Sequence, residues 1–205
     1  MASTSLWCGD APVLLASKSA IRRALLAAAG IPFESIAAEI DERRLEAPLR
    51  EEGASAIAAH LARAKSLAVA RTNPARLVIG ADQTLALGDA IFAKPRELGA
   101  ARAQLARLSG RSHTLYSALC VVRAEHVLFE TVESATLTCR PFSADFIECY
   151  LAAVGEQALA SVGTYQVEAL GIQLFERIEG DHTTILGLPM LPLLAFLRRE
   201  GSLAG

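Results

Sequence analysis

The sequence predicts an α/β fold in which a mixed sheet carries helices on its faces. Three observations point there. Compact apolar runs of strand length recur along the chain, alanine-rich segments with a helical apolar face lie between them, and glycine-centred turns join neighbouring runs into hairpins. The chain has 205 residues, of which 52% are apolar and 20% charged, so it can bury a sizeable core and is not composed like a disordered segment. Alanine is the commonest residue and aromatics are only 5%, so Leu, Ile and Val must supply most of the core volume.

The elements follow in order. The run PVLLA at 12–16 is apolar and bounded by polar residues, which suits a buried strand. A helix follows over 20–29, stopped by Gly30 with Pro32 beyond. Partial alternation over 33–40 suggests a second strand. Residues 53–72 read as a helix ended by Asn73-Pro74. LVIG at 77–80 is another buried strand, delivering Ala81, Asp82 and Gln83 at its end. Gly88-Asp89 between apolar runs signals a hairpin over 85–92. A helix over 97–108, paired strands over 113–123 and 127–139, and a helix over 144–153 capped by Ser143 come next. A strand over 172–178 and a helix over 191–200 complete the chain.

Composition narrows the function classes. A formal net charge of −2 argues against a general nucleic-acid surface, yet allows a small anion held by a few local cations. The longest apolar stretch, 184–197, is too short to span a bilayer and carries Pro189 and Pro192, so no membrane partner is expected. No basic residue precedes the first apolar run, so no signal peptide is read and a cytoplasmic protein is expected. Cys8, Cys120, Cys139 and Cys149 show no zinc spacing and are expected as buried, reduced thiols. His60, His113, His126 and His182 are scattered and none is assigned to catalysis.

Four segments could carry chemistry. Ser17, Ser19, Arg22 and Arg23 sit at a strand-to-helix junction, where free N–H groups and the positive dipole end suit phosphate. The bland alternative is an N-capped helix with a solvated basic face. Asp82 at a strand end could bind Mg²⁺ or take a proton from water, with Lys94 neutralising a phosphate. The alternative is an Asp capping a turn beside a surface lysine. Glu168 lies between Gly163 and Gly171 as an isolated acid, and Glu34 precedes the acidic pair Asp41-Glu42; both could be merely solvated.

Taken together and in order, the segments LLASKSAIRRALL, GIPFE, AEIDE, HLARAKSLA, VIGADQ, AKP, LSGRSHTLYSAL, VGTYQVEALGIQLFERIEG and ILGLPM resemble the Maf family of nucleoside triphosphate pyrophosphatases, once described as septum-formation inhibitors. The resemblance spans nearly the whole chain. It implies an inosine-triphosphatase-like fold, with an elongated mixed sheet, flanking helices and a nucleotide cleft between two lobes, in a single domain over 1–205. It implies hydrolysis between the α- and β-phosphates of a nucleoside triphosphate with a divalent cation, Mg²⁺ or Mn²⁺, and it allows a homodimer. By resemblance, Asp82 matches the catalytic aspartate. Ser17, Ser19, Arg22 and Arg23 match the phosphate loop, and Glu34, Lys65 and Lys94 match the other polar cleft residues. Asp82 and Glu34 are the expected metal ligands.

Three positions separate subfamilies. The dTTP/UTP type has Arg at the place of Ile21, Thr at Gln83 and Gln at Glu168, and this chain departs at all three. Gln83 and Glu168 match the 7-methyl-GTP type; Ile21 matches its usual Trp only in being apolar. A carboxylate can accept both the N1–H and N2–H₂ donors of guanine and favours the positive charge of a methylated guanine. The reading is therefore a preference for 7-methyl-GTP or another modified purine nucleotide, serving nucleotide-pool cleaning. A dTTP/UTP or broad-specificity pyrophosphatase is the alternative. A nucleotide-binding regulator of cell division is the rival from another class.

Overall fold

The computed structural model describes residues 6–205. Its strands are β1 (Val13–Leu15), β2 (Phe33–Ser35), β3 (Leu77–Leu87), β4 (Ala90–Phe92), β5 (Ser112–Arg123), β6 (His126–Cys139) and β7 (Phe175–Glu179). Its α-helices are α1 (Ala20–Ala28), α2 (Glu42–Glu46), α3 (Ala54–Ala70), α4 (Leu98–Leu108), α5 (Ala144–Val154), α6 (His182–Ile185) and α7 (Met190–Arg199). The strands join in the order β2-β1-β3-β5-β6-β7, with β4 paired on β3. Pairing is parallel for β1 with β2 and β3, and antiparallel for β3 with β4 and β6 with β7. The sheet is mixed and flanked by helices, as the patterning predicts.

Two compact units are distinguished. One holds the described residues to Gln83 with Ser117–Glu133 and His182–Gly205; the other holds Thr84–Tyr116 and Ser134–Asp181.

In the first unit, Val13 and Leu15 of β1, Leu77 and Ile79 of β3, and Leu193 and Phe196 of α7 belong to one buried apolar cluster. Side chains alternate along a strand, so residues 78, 80 and 82 of β3 take the opposite face. There α3 lies unusually close. A Cβ added at Gly80 would sit 2.1 Å from the Ala62 carbonyl oxygen and 2.8 Å from both the backbone nitrogen and Cβ of Ser66. Only glycine fits, and the helix backbone rests directly on the strand.

In the second unit, the end of β3 turns at Gly88 (φ +59°) into β4, with Leu85 opposite Phe92. Helix α5 starts at Ser143, whose hydroxyl accepts from the Phe146 amide, as expected. His113 and Tyr165 are buried together, with Nε2 and the phenol oxygen 2.6 Å apart, and Phe175 meets Tyr165 edge-on. Burial pushes the His113 imidazole down to about 4.

Several expectations are corrected. Asp82 lies inside β3 and not at a strand end, because the run continues through Leu87 into the hairpin. The second strand stops at Ser35, where the chain leaves β1; its first residue beyond, Ile36, donates to the Leu15 carbonyl. The strand expected over 172–178 begins only at Phe175, because residues Leu170–Leu174 close a 3₁₀ turn. Helix α2 went unread: it is a single short helix capped by Asp41. All four cysteines are free, but only Cys120 and Cys139 are buried; Cys8 and Cys149 are exposed. Among the described residues, no helix is long and apolar enough to cross a membrane.

Candidate active site

The first unit gathers most of the expected polar residues. The loop after β1 is pinned on both sides: the Ala16 amide donates to Ile79 of β3, and the Ser35 hydroxyl of β2 donates to the Ser17 carbonyl at 2.6 Å. This fixes where α1 begins. Ser19 is its N-cap, with Oγ accepting from the Arg22 amide at 3.3 Å. Ser17 Oγ accepts from the Ser19 amide at 3.2 Å and from Arg22 Nη1 at 3.3 Å. Both hydroxyls are thus used as acceptors, which leaves each O–H proton free to be donated to an incoming oxygen. Arg23 points from the exposed side of α1, while Ile21 is half-buried.

Arg22 is anchored by backbone. Its Nη1 donates to the Ala81 carbonyl at 2.7 Å and its Nε to the Gly187 carbonyl at 2.8 Å. Burial pulls the guanidinium below its ordinary value, and the nearby charges of Asp82 and Glu42 oppose that. Arginine stays charged under such a shift, so a fixed cation stands beside β3.

The close approach of α3 at Gly80 has a chemical consequence two residues on. Lys65, on the turn of α3 between Ala62 and Ser66, reaches Asp82 with Nζ 2.6 Å from Oδ1. Both side chains are buried, about a tenth exposed. The same Nζ lies 3.0 Å from Glu42 Oε1 on α2. Burial pushes the Asp82 carboxyl above its ordinary value, and Lys65 and Arg22 pull against that shift. Glu46, one turn on from Glu42, is also raised, by burial first and then by the charges of Asp82 and Glu42. Two carboxylates therefore converge on one ammonium, whose three donors leave one N–H uncommitted.

Gln83, on the other face of β3, is half-buried. Its Nε2 lies 2.9 Å from Ser117 Oγ, 3.0 Å from the Ile185 carbonyl and 3.2 Å from that of Thr184.

Each of the remaining expected residues has its own surroundings. Glu34, on β2, is exposed and paired with Arg76 at 2.8 Å, so its charge is already matched. Lys94 is exposed after β4, and Glu168 is exposed in the turn before Leu170; both belong to the second unit. Glu42 is the acid that sequence reasoning passed over. Its signal was the Glu42/Glu46 spacing of one helical turn, which puts both carboxylates on one side of α2.

The donor set suits a hard divalent cation. Asp82 and Glu42 each place a carboxylate oxygen on Lys65 Nζ, and Mg²⁺ is held by one or two carboxylates together with phosphate oxygens and water. Among the described residues, no group of three or more His, Cys, Asp or Glu could hold a metal without such help.

Comparison with known proteins places this geometry in context. The family model described as Maf-like protein matches residues 12–200. A 7-methyl-GTP pyrophosphatase of Brucella abortus is 53% identical over 195 residues, covering 94% of this chain and 98% of the relative. One of Rhizobium meliloti is 54% identical over 193 residues, covering 93% and 97%. A nucleoside triphosphate pyrophosphatase of Rhodopseudomonas palustris is 51% identical over 200 residues, covering 98% and 99%.

Proposed function

The chain belongs to the Maf family, and from that footing we propose that it is a nucleoside triphosphate pyrophosphatase, a hydrolase acting on an acid anhydride. Water attacks the α-phosphorus, the bond from that phosphorus to the α–β bridging oxygen breaks, and pyrophosphate leaves with that oxygen. The observation that carries this reading is the buried Lys65–Asp82 contact, flanked by Glu42 and backed by Arg22.

Asp82 takes the proton of the attacking water or orients that water as an acceptor; its raised carboxyl is a stronger base than an ordinary aspartate. Lys65 keeps Asp82 in position and turns its uncommitted N–H toward phosphate oxygen. Arg22, already fixed by two carbonyls, supplies positive charge without further ordering. The Ser17 and Ser19 hydroxyls donate to phosphate, and Arg23 and Lys94 add charge from exposed positions. A bound divalent cation, Mg²⁺ or Mn²⁺, supplies charge screening of the polyphosphate. Asp82 and Glu42 would hold it. Glu34, the expected second ligand, is paired with Arg76 at 2.8 Å.

The preferred substrate is 7-methyl-GTP or a related modified purine nucleotide. Two of the three relatives above are named 7-methyl-GTP pyrophosphatase, and the third is named nucleoside triphosphate pyrophosphatase. Gln83 directs its amide nitrogen at protein oxygens, which leaves its carbonyl as the group offered to a base, and Glu168 offers a second acceptor. Acceptors suit the N–H edge of guanine. Ile21 gives no stacking or cation–π contact, and this favours some breadth of base. The whole chain, 1–205, is read as one nucleotide-hydrolysing domain, acting in the cytoplasm, without nucleic acid, and as a homodimer.

The test is pyrophosphate release across a nucleotide panel with Mg²⁺. The expected result is the highest kcat/KM for 7-methyl-GTP, abolished by Asp82→Asn, with Glu168→Gln shifting preference toward pyrimidines. A tenfold preference for dTTP in the parent chain would overturn the substrate assignment. Nucleotide binding without any turnover would favour the regulator.

A further inference from the structure

Ser117 has a place in the hydrogen-bond network that its chemistry alone does not announce. It is fully buried on β5, and its hydroxyl donates to the Thr184 carbonyl at 2.7 Å. With the proton committed there, its lone pairs face Gln83 Nε2 at 2.9 Å. Gln83 Nε2 carries two hydrogens and has three oxygens around it. The Thr184 carbonyl is the farthest, at 3.2 Å, and already accepts from Ser117 and from the Gly187 amide at 3.0 Å. The two hydrogens therefore belong to Ser117 Oγ and the Ile185 carbonyl. The reverse amide orientation would set Gln83 Oε1 against carbonyl oxygens that carry no proton, so the orientation is fixed by chemistry.

The same turn holds Arg22. Gly187 accepts from Arg22 Nε at 2.8 Å, and Gly187 has φ +89°, a conformation that favours glycine. A Cβ placed there would be 3.5 Å from both Arg22 Nη2 and Gln83 Oε1. One turn, residues 184–187, thus receives a phosphate-binding candidate on one side and a base-selecting candidate on the other.

We propose that Ser117, with the turn at 184–187, is a positioning element that presents Gln83 Oε1 in fixed register with Arg22, so that Ser117 sets base selectivity through Gln83. This rests on the assignment of Gln83 to base selection made above. Ser117→Ala removes one of the two acceptors that satisfy Gln83 Nε2. It frees the amide to rotate and to offer a base either its oxygen or its nitrogen.

The test combines kinetics with a direct view of the amide. In Ser117→Ala, the ratio of kcat/KM for 7-methyl-GTP to that for dTTP is expected to fall about tenfold, a change of about 1.4 kcal/mol in discrimination, carried by KM while kcat changes little. Ser117→Thr, which restores the hydroxyl, returns the ratio. Gln83→Ala lowers the ratio too, and adding Ser117→Ala to it lowers it no further, because the pathway runs through Gln83. Additive losses would assign Ser117 a general packing role and overturn the proposal. In nuclear magnetic resonance spectra, the two Gln83 side-chain N–H signals are expected to shift and exchange faster with water in Ser117→Ala. Unchanged signals would also overturn it. If the parent chain hydrolysed neither nucleotide, the functional assignment would fall, while the Gln83 signals would still decide whether Ser117 positions the amide.

Discussion

Replacing Gly80 with alanine tests the link from packing to chemistry most directly. On backbone grounds alone the change should stabilise slightly, because alanine restricts the unfolded chain and the Gly80 φ is not positive. Sterics oppose this. The new Cβ would fall 2.1 Å from the Ala62 carbonyl oxygen and 2.8 Å from the Ser66 backbone nitrogen, where ordinary contact begins at 3.4 Å. Those atoms are helix backbone, so no flexible side-chain end can yield, and α3 must lift off β3 by about 1 Å. Overpacking of this kind costs about 3 kcal/mol. In a chain of this size that lowers Tm by roughly 6–12 °C. Lys65 sits on the part of α3 that must move, and its 2.6 Å contact with Asp82 cannot survive intact. A misplacement of about 1 Å costs on the order of 100-fold in kcat.

Thermal unfolding and pyrophosphate release on the same samples read both effects. Gly99→Ala is the control. It lies in the first turn of α4, and its Cβ would meet only a Glu97 side-chain oxygen at 3.6 Å, so neither Tm nor kcat should fall. A Gly80→Ala protein with the parent's Tm would refute the packing argument. A lowered Tm with unchanged kcat would refute the claim that α3 places Lys65 for catalysis.

Three further outcomes are expected. Because burial raises the Asp82 carboxyl, the acid limb of the kcat/KM profile should lie above the ordinary aspartate range, and Lys65→Met, which removes the strongest opposing charge, should move that limb higher still; a limb that stays in place would detach Asp82 from the rate. His113 is held near 4 when folded and reverts to about 6.5 when unfolded, so the unfolded state binds the extra proton between those values. Its contribution is therefore intact above pH 6.5 and is lost as pH falls through 4, by about 3 kcal/mol, and chemical denaturation of His113→Gln against the parent across pH 7 to 4 should show a flatter acid loss in the variant. Chelating divalent cations should weaken nucleotide binding at least about tenfold by titration calorimetry, whereas equal affinity with and without Mg²⁺ would remove Asp82 and Glu42 from cation binding.

The legibility of this chain divides by the range of the interactions. The N-caps at Ser19 and Ser143 and the turn at Gly88 were readable because each depends on residues within three or four positions. Gly80 lies inside the LVIG run, and nothing local says what approaches it, since α3 is held there by the packing of a whole helix face. Asp82 was misplaced to a strand end because a compact LVIG run looks complete, and only the pairing of Leu85 with Phe92 shows β3 running on. Glu42 goes unassigned in the sequence for a similar reason. Its partner Lys65 lies on another helix, and no local pattern announces a charge pair across α2 and α3. Glu34 attracted attention from its place after the GIPF step, whereas Arg76, more than forty positions on, decides its actual environment.

The net charge of −2 also acquires a structural meaning. Within the first unit, the cations nearest the candidate site are not a bare positive surface. The charges of Lys65 and Arg22 are matched by the carboxylates of Asp82 and Glu42, which act on both cations. Such a site has fixed directions but little surplus positive charge. A triphosphate entering it brings several negative charges, which the chain cannot balance from these residues alone. Strong attraction to any polyanion would follow from a basic cleft; here it does not, and selection passes to whatever supplies the missing charge together with the base. On the proposed reading, a cation arriving with the nucleotide and held by Asp82 and Glu42 would balance the phosphates. The net charge of −2 is therefore compatible with a ligand that carries its own neutralisation.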